Sequence, residues 1–464
     1  MRSTHNSVAA IIVATLATSA SAGSSDYLIN LLQTTPAGGW VMASTNQFSD
    51  AWVTGAAKVP PTPSNPSGIV NAWSSFAWDS TSGNMLLWGG GHANYAGNEI
   101  YVWNGTNGAW ERGSLSSRTV GTLGADRDFI VDNAAPQSAH TYDGNIYLPI
   151  NNMFMTFGGA AYTTGGNFST RVGSTVERAG PWMWDPTKAD PNKVGGTSGS
   201  GYDPSTPGGN MWINRIDSLS GQQGPSYVQN TTAYREENGK DVVYFTADAH
   251  ASGRPALYRY EVGDVRNDGS DISAKVGVMQ DTVAYQGSGT IDSFNGWYVR
   301  NTSDFADLAV WDLAKSNATN PNANHETGID LVMADGTDFI TNLSTAVEYD
   351  SRKNRFLLWD GLEQGTVYST QAAFNSDGTL SKVWVVDKLT STTTEQPSGD
   401  FLTGVLGKWK CVDDLGAFVA LNSDATVWLY KPAVAAIPEP SIFALMFAGL
   451  GTVVWFARRR REKI

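Results

Sequence analysis

One irregular unit recurs six times between residues 76 and 430, and this repetition restricts the fold more than any other feature. Each copy opens with a short strand ending in an aromatic or apolar residue followed by a polar one. Trp78-Asp79, Tyr142-Asp143, Tyr349-Asp350 and Val412-Asp413 mark four starts, and Tyr234-Arg235 and Ile291-Asp292 mark two weaker ones. A more hydrophobic second strand follows, at Met85–Trp88, Met153–Phe157, Val242–Phe245, Trp297–Val299, Phe356–Trp359 and Phe418–Leu421. The third strands read Ile100–Trp103, Trp182–Asp185, Leu257–Tyr260, Ala309–Asp312, Trp384–Asp387 and Val427–Tyr430. Successive starts are 64, 92, 57, 58 and 63 residues apart. Repeated antiparallel sheets of this size bury their faces against one another, which predicts an all-β protein, a β-propeller with one blade per repeat. Six blades are expected, and the 92-residue interval leaves room for a seventh. A pair of β-sandwiches would not need six comparable units. The last copy stops three strands in, so Gly39–Ala43 is expected to supply its fourth strand and leave no open sheet edge.

The first copy carries Gly89-Gly90-Gly91 after a hydrophobic strand, then Tyr101 and Trp110, and Gly158-Gly159 echoes it in the second. This pattern resembles a kelch repeat, whose double glycine, tyrosine and tryptophan recur at such spacing. A kelch-like β-propeller is the fold that the resemblance implies. Later copies lose the glycines, and their intervals exceed the roughly fifty residues of a kelch unit. The enzyme analogy that comes with this fold is galactose oxidase, whose copper-radical chemistry needs two tyrosines and two histidines on copper and a cysteine cross-linked to one tyrosine. Here the one cysteine, Cys411, lies in the first strand of the last copy, and no Tyr-His pair occurs. No cofactor or metal site is therefore expected. An internal disulfide is excluded, and Cys411 reads as a buried, inert thiol.

Charged residues make up 16% of the chain, while 49 glycines and 17 tryptophans are abundant, a composition suited to tight turns and aromatic packing. The formal charge is −13, and the body without its basic tail is more acidic still. Such a surface repels nucleic acid and anionic membranes.

Both ends read as targeting segments. Residues 1–22 form a secretory signal: Arg2 at the start, an apolar stretch from Val8 to Ala17, and Ala20-Ser21-Ala22 before the cleavage point. Residues 23–432 are the propeller domain, and 433–440 a linker containing Pro438-Glu439-Pro440. An apolar run follows over 441–457, then a basic tail over 458–464 with Arg458, Arg459, Arg460 and Arg461. Seventeen helical residues rise about 25 Å, a short transmembrane helix, and the arginines hold its end in the cytoplasm. This three-part order resembles the PEP-CTERM sorting signal of Gram-negative bacteria. The resemblance implies an inner-membrane-anchored intermediate, recognition by an exosortase, and delivery to the cell surface or extracellular matrix.

In a propeller the loops joining second to third strands share one face. There the sequence offers His92, Asn94, Tyr95 and Glu99 in the first copy, and Asp248 and His250 in the third. The fourth and fifth copies add Asp304 and Glu363. Imidazoles, carboxylates and amides beside glycines suit a shallow ligand site, and Tyr95 and Trp359 could stack on sugar rings. The plainer reading is that these groups satisfy one another's loops. His140 reads as a first-strand residue facing the core or the channel. The expected function is non-catalytic: binding or organising extracellular polysaccharide or a surface protein partner. The alternative is a carbohydrate-active enzyme, an oxidase, hydrolase or lyase, that uses the His92/His250 face.

Overall fold

A computed structural model describes residues 25–54, 65–92, 94–116, 119–120, 129–130, 135–162, 165–172, 175–178, 180–195, 211–215, 225–265 and 270–433. The secretory signal, the apolar run and the basic tail lie outside these residues. Among the described residues no helix is long and apolar enough to cross a membrane.

Six four-stranded antiparallel blades form the body. Blade 1 comprises Phe76–Asp79, Asn84–Leu87, Tyr101–Asn104 and Ala109–Arg112; blade 2 comprises Asn145–Leu148, Met153–Thr156, Trp182–Trp184 and Trp212–Asn214. Blade 3 runs through Thr231–Glu237, Lys240–Ala247, Ala256–Glu261 and Ile272–Gly277. Blade 4 is Gly289–Asp292, Trp297–Asn301, Leu308–Asp312 and Thr327–Met333, and blade 5 is Thr345–Asp350, Arg355–Asp360, Val367–Thr370 and Val383–Leu389. Blade 6 takes Trp409–Val412, Ala417–Leu421 and Val427–Lys431 from the C-terminal end, and Gly39–Met42 from the N-terminal end as its fourth strand. Trp40 pairs with Tyr430 and Met42 with Trp428 in that closure.

Four blades are separate sheets. Blades 4 and 5 fuse into one nine-stranded sheet, because their outermost strands pair in parallel from Asp330 with Val383 to Met333 with Val386. No seventh unit appears among the described residues of the long interval, which hold two-stranded ribbons such as Ser169–Val172 with Thr175–Arg178. Nothing in this arrangement distinguishes a kelch propeller from other propellers.

Alternation along each strand sends successive side chains to opposite sheet faces, and each face packs on a neighbouring blade. Phe76 and Leu87 join Val419 and Leu429 between blades 1 and 6, while Ala77, Leu86 and Trp88 join Phe154 and Trp212 between blades 1 and 2. Comparable apolar layers fill the other four junctions. The core is thus a ring of six inter-blade layers, which explains why a single blade could not fold alone. The helix Asp26–Thr34 starts at Ser25, whose Oγ accepts from Leu28 N at 3.2 Å, and it buries Leu28 and Leu32 in the layer between blades 6 and 1. Lys431 Nζ donates to Leu32 O and Thr35 O at 2.8 and 2.9 Å, tying that helix end to blade 6.

Three expectations need correcting. Trp384–Asp387 belongs to the fourth strand of blade 5, and Val367–Thr370 is the third. Tyr142 and Asp143 precede the innermost strand of blade 2, which starts at Asn145. His140 lies in a separate two-residue strand that pairs with Ala160–Ala161. The turn glycines and the short polar runs here offered several equivalent strand starts, and only packing chose among them.

Candidate functional site

The innermost strands surround an axial channel. At its upper end, where second strands lead into third, Trp73, Tyr142, Val228 and Leu406 form an apolar plug. Three of these residues adopt left-handed backbone, with φ of 27° at Trp73, 51° at Tyr142 and 51° at Leu406. Such conformations are costly for large side chains and persist where surrounding packing fixes them. Tyr142 N donates to Trp73 O at 2.7 Å, joining blade 1 to blade 2 across the plug.

Charge is concentrated beneath the plug. Asp143 is fully buried and accepts from Gly289 N at 2.8 Å, Thr232 N at 3.3 Å and Lys410 Nζ at 3.0 Å. Its carbonyl accepts from Thr232 Oγ1 at 2.6 Å. One carboxylate therefore ties the entrance of blade 2 to the innermost strands of blades 3, 4 and 6. The fit is close: a Cβ on Gly407 would stand 2.1 Å from Asp143 Oδ1. Burial pushes the Asp143 carboxyl up, opposed by Lys410 and the two amides. Two further cations are buried near it without a carboxylate contact among the described residues. Arg300 donates to Asn301 O, Thr246 Oγ1 and Tyr285 O at 3.0, 2.6 and 2.7 Å, and burial lowers it to about 10. Lys408 donates to Gly404 O and Val405 O at 3.1 and 3.4 Å, and burial lowers it to about 7.

Below this layer the channel widens into a cavity of about 500 Å³, within the ~300–1,000 Å³ range of small-ligand sites. It opens among the turns between first and second strands, at Ser80, Pro149, Ser293, Ser351 and Asp413. Trp78 and Tyr234 line its wall and are half-buried. Two ionisable side chains reach it from inside. Lys410 is 16% exposed and Glu348 15%, and Nζ stands 3.9 Å from Glu348 Oε2. Thr290 Oγ1 donates to Glu348 Oε1 at 2.7 Å. Burial raises Glu348 to about 7, with Lys410 and Thr290 opposing. Burial alone would lower Lys410, but Asp143 and Glu348 outweigh it and the ammonium is held charged.

The residues singled out on the upper face divide into three sets. His92 and Asn94 are exposed and meet His140: the rings of His92 and His140 stack at 5.6 Å, and His140 Nε2 lies 2.9 Å from Asn94 Oδ1. His140 also lies against Trp73 at 4.7 Å, and burial followed by His92 lowers it to about 4. Tyr95 and Glu99 are in the core, where Tyr95 and Tyr101 both donate to Glu99 Oε1. Trp359 is also fully buried, among Trp40, Phe401 and Trp409. Neither Tyr95 nor Trp359 is available to stack on a sugar. Asp248, His250, Asp304 and Glu363 sit on separate loops of blades 3, 4 and 5. Asp248 accepts from Ser226 N and Tyr258 OH, Asp304 from Phe305 N, and Glu363 from Lys388. No described contact joins His250 to His92. Among the described residues no group of three His, Cys, Asp or Glu is placed to hold a metal.

The sequence contained a sign of the axial pair. The position before the aromatic or apolar marker of the innermost strand reads Ala77, Ala233, Thr290 and Glu348 in four copies, and Lys410 stands two residues before Val412 in the last. Glu348 and Lys410 thus bring charge to innermost strands whose counterparts bring Ala77, Ala233 and Thr290 to the same cavity.

No curated protein matches the chain. Among solved structures it is similar to the major allergen Mala s 1 of Malassezia sympodialis, at 11% identity and a TM-score of 0.39 over 78% of this chain and 92% of that one. It is also similar to the α-L-arabinofuranosidase Arb93A of Fusarium graminearum, at 10% identity and a TM-score of 0.37 over 82% and 95%. TolB of Acinetobacter baumannii aligns at 13% identity and a TM-score of 0.28, over 70% and 55%. The tail matches the PEP-CTERM protein-sorting motif over residues 436–461. This motif implies export and processing at the membrane by an exosortase, so the chain is a propeller-like protein that carries a PEP-CTERM sorting signal.

Proposed function

We propose that this protein acts at the cell surface or in the extracellular matrix, where its propeller binds extracellular polysaccharide through the axial cavity. The observation that carries this reading is the cavity itself: water-accessible, of small-ligand size, walled by Trp78 and Tyr234 and furnished with Lys410 and Glu348. Aromatic walls bury the apolar face of a sugar while polar groups bond its hydroxyls. The cavity is too small to lay a polymer across, which favours a chain end or a side branch as the bound part. The exposed His92–Asn94 edge, backed by His140, is a second and shallower contact on the opposite face.

A carbohydrate-active enzyme is the competing reading, and Glu348 is the observation that favours it. A carboxyl held near neutrality can give and take a proton at physiological pH. The two readings separate in one assay. Full-length protein in mild detergent would be co-sedimented with the producer's extracellular polysaccharide, and the polymer's chain length and reducing ends measured in the same tube. Binding with unchanged chains is expected. Shortened chains would replace the binding function by a hydrolytic or lytic one, and absence of both co-sedimentation and shortening would remove both.

A further inference from the structure

We infer that the axial cavity selects a neutral unit with adjacent hydroxyls, a sugar or polyol bridged between Lys410 and Glu348, over uronic acids and amino sugars. The inference rests on the carbohydrate reading of the cavity and adds the chemistry of its ligand. Lys410 carries three N–H donors, and one is spent on Asp143 at 3.0 Å. Glu348 uses Oε1 to accept from Thr290, whereas Oε2 is the oxygen turned toward Lys410. The 3.9 Å between Nζ and Oε2 exceeds the 2.7–3.2 Å of a direct bond. The pair therefore leaves a donor and an acceptor side by side, both turned to the same space.

Adjacent hydroxyls complete that pair. One oxygen accepts from Nζ while its neighbour donates to Oε2, and no charge has to be buried or neutralised. A carboxylate ligand would meet an ammonium already matched by Asp143 and Glu348. It would also pass Glu236, Asp413 and Asp414 on the cavity lining. An ammonium ligand would have to sit beside Lys410. Burying either ion without a partner is strongly unfavourable. Trp78 and Tyr234 supply the apolar contact that a sugar ring offers and a small anion does not.

The test uses the full-length protein in mild detergent and calorimetric titration with four neutral sugars: glucose, galactose, mannose and arabinose. Galacturonate and galactosamine serve as charged probes. Glu348→Gln keeps the acceptor for Thr290 but weakens the acceptor at Oε2. Ser293→Trp, at an exposed turn, narrows the cavity mouth without touching the core. At least one neutral sugar should bind, the charged probes at least about tenfold more weakly. At pH 7.5 both variants should lose at least about tenfold in affinity while still unfolding in a single cooperative transition like the wild type. Charged probes that bind as well as neutral ones would overturn the ligand class and leave the polysaccharide function standing. Neutral sugars binding both variants as they bind the wild type would overturn the site. Polysaccharide bound with no sugar of the panel bound would overturn the inference alone. Neutral sugar bound through Glu348 with polysaccharide ignored would support the inference and remove the polysaccharide function.

Discussion

Lys408 and Glu348 are both displaced toward neutrality by burial, and their pH signatures have opposite signs. A lysine in the unfolded chain holds its proton to about 10.4, whereas Lys408 in the fold releases it near 7. Between these values folding expels a proton, so raising the pH favours the folded state. Relative to Lys408→Met, the wild type should gain stability from pH 6.5 to 9.5 in urea titrations. Parallel curves for the two proteins would show that Lys408 stays charged. Glu348 behaves in the reverse sense. The folded carboxyl keeps its proton up to about 7, while the unfolded one loses it near 4.5. Its stabilising contribution is complete below about 4.5 and lost as the pH rises through 7. The stability advantage of the wild type over Glu348→Gln should therefore shrink between pH 4.5 and 7.5, and a constant difference would contradict the shift. Asp143 was visible in the sequence as a strand marker. Its role as an axial tie was not, because its partners come from residues 232, 289 and 410.

At the scale of elements, the strand Gly39–Met42 shows how far pattern reading reaches. An incomplete last copy and a short apolar segment near the start were enough to predict the closure. What that strand contributes energetically depended on neighbours no local pattern reveals. Trp40 is 2% exposed, packs on Trp359 and Trp409 at 5.6 Å and on Tyr430 at 5.0 Å, and donates Nε1–H to Gly365 O at 2.8 Å. Trp40→Ala opens a cavity where blades 5 and 6 meet, and should lower the unfolding free energy by about 3–5 kcal/mol. The midpoint of urea unfolding is the measurement, and a loss under about 1 kcal/mol would mean that the closure adds little. The parallel pairing of blades 4 and 5 carried no sequence signal, since Val383–Leu389 alternates like any other edge strand. It is a pairing between two outer edges that tertiary packing happens to bring together.

At the scale of the whole molecule, strand direction places Gly39, Lys431 and the cavity on one face. The closing strand starts at Gly39 and the last strand ends at Lys431, and these residues pair on the side where first strands lead into second. Arg355 at the start of a second strand binds Ala433 O at 2.9 Å on the same side. Seven residues, 434–440, separate Ala433 from the apolar run, a reach of at most about 25 Å. A membrane-inserted precursor should hold the cavity toward the bilayer. Full-length protein in nanodiscs is therefore expected to bind polysaccharide more weakly than the same protein after proteolytic removal of the tail. Equal binding would mean that the body turns freely on its linker.

The sequence by itself determined the all-β class, the six units, the ring closure and the sorting signal, because each is written in local periodicity or in one contiguous segment. The tertiary structure decided which loops are surface and which are core, moving Tyr95, Glu99 and Trp359 out of reach of a ligand. It also decided where charge converges. Lys410, Glu348 and Asp143 come from three different copies, and the ring places them on one axis. Burial and mutual distance set their chemistry, and neither quantity exists until the six blades close.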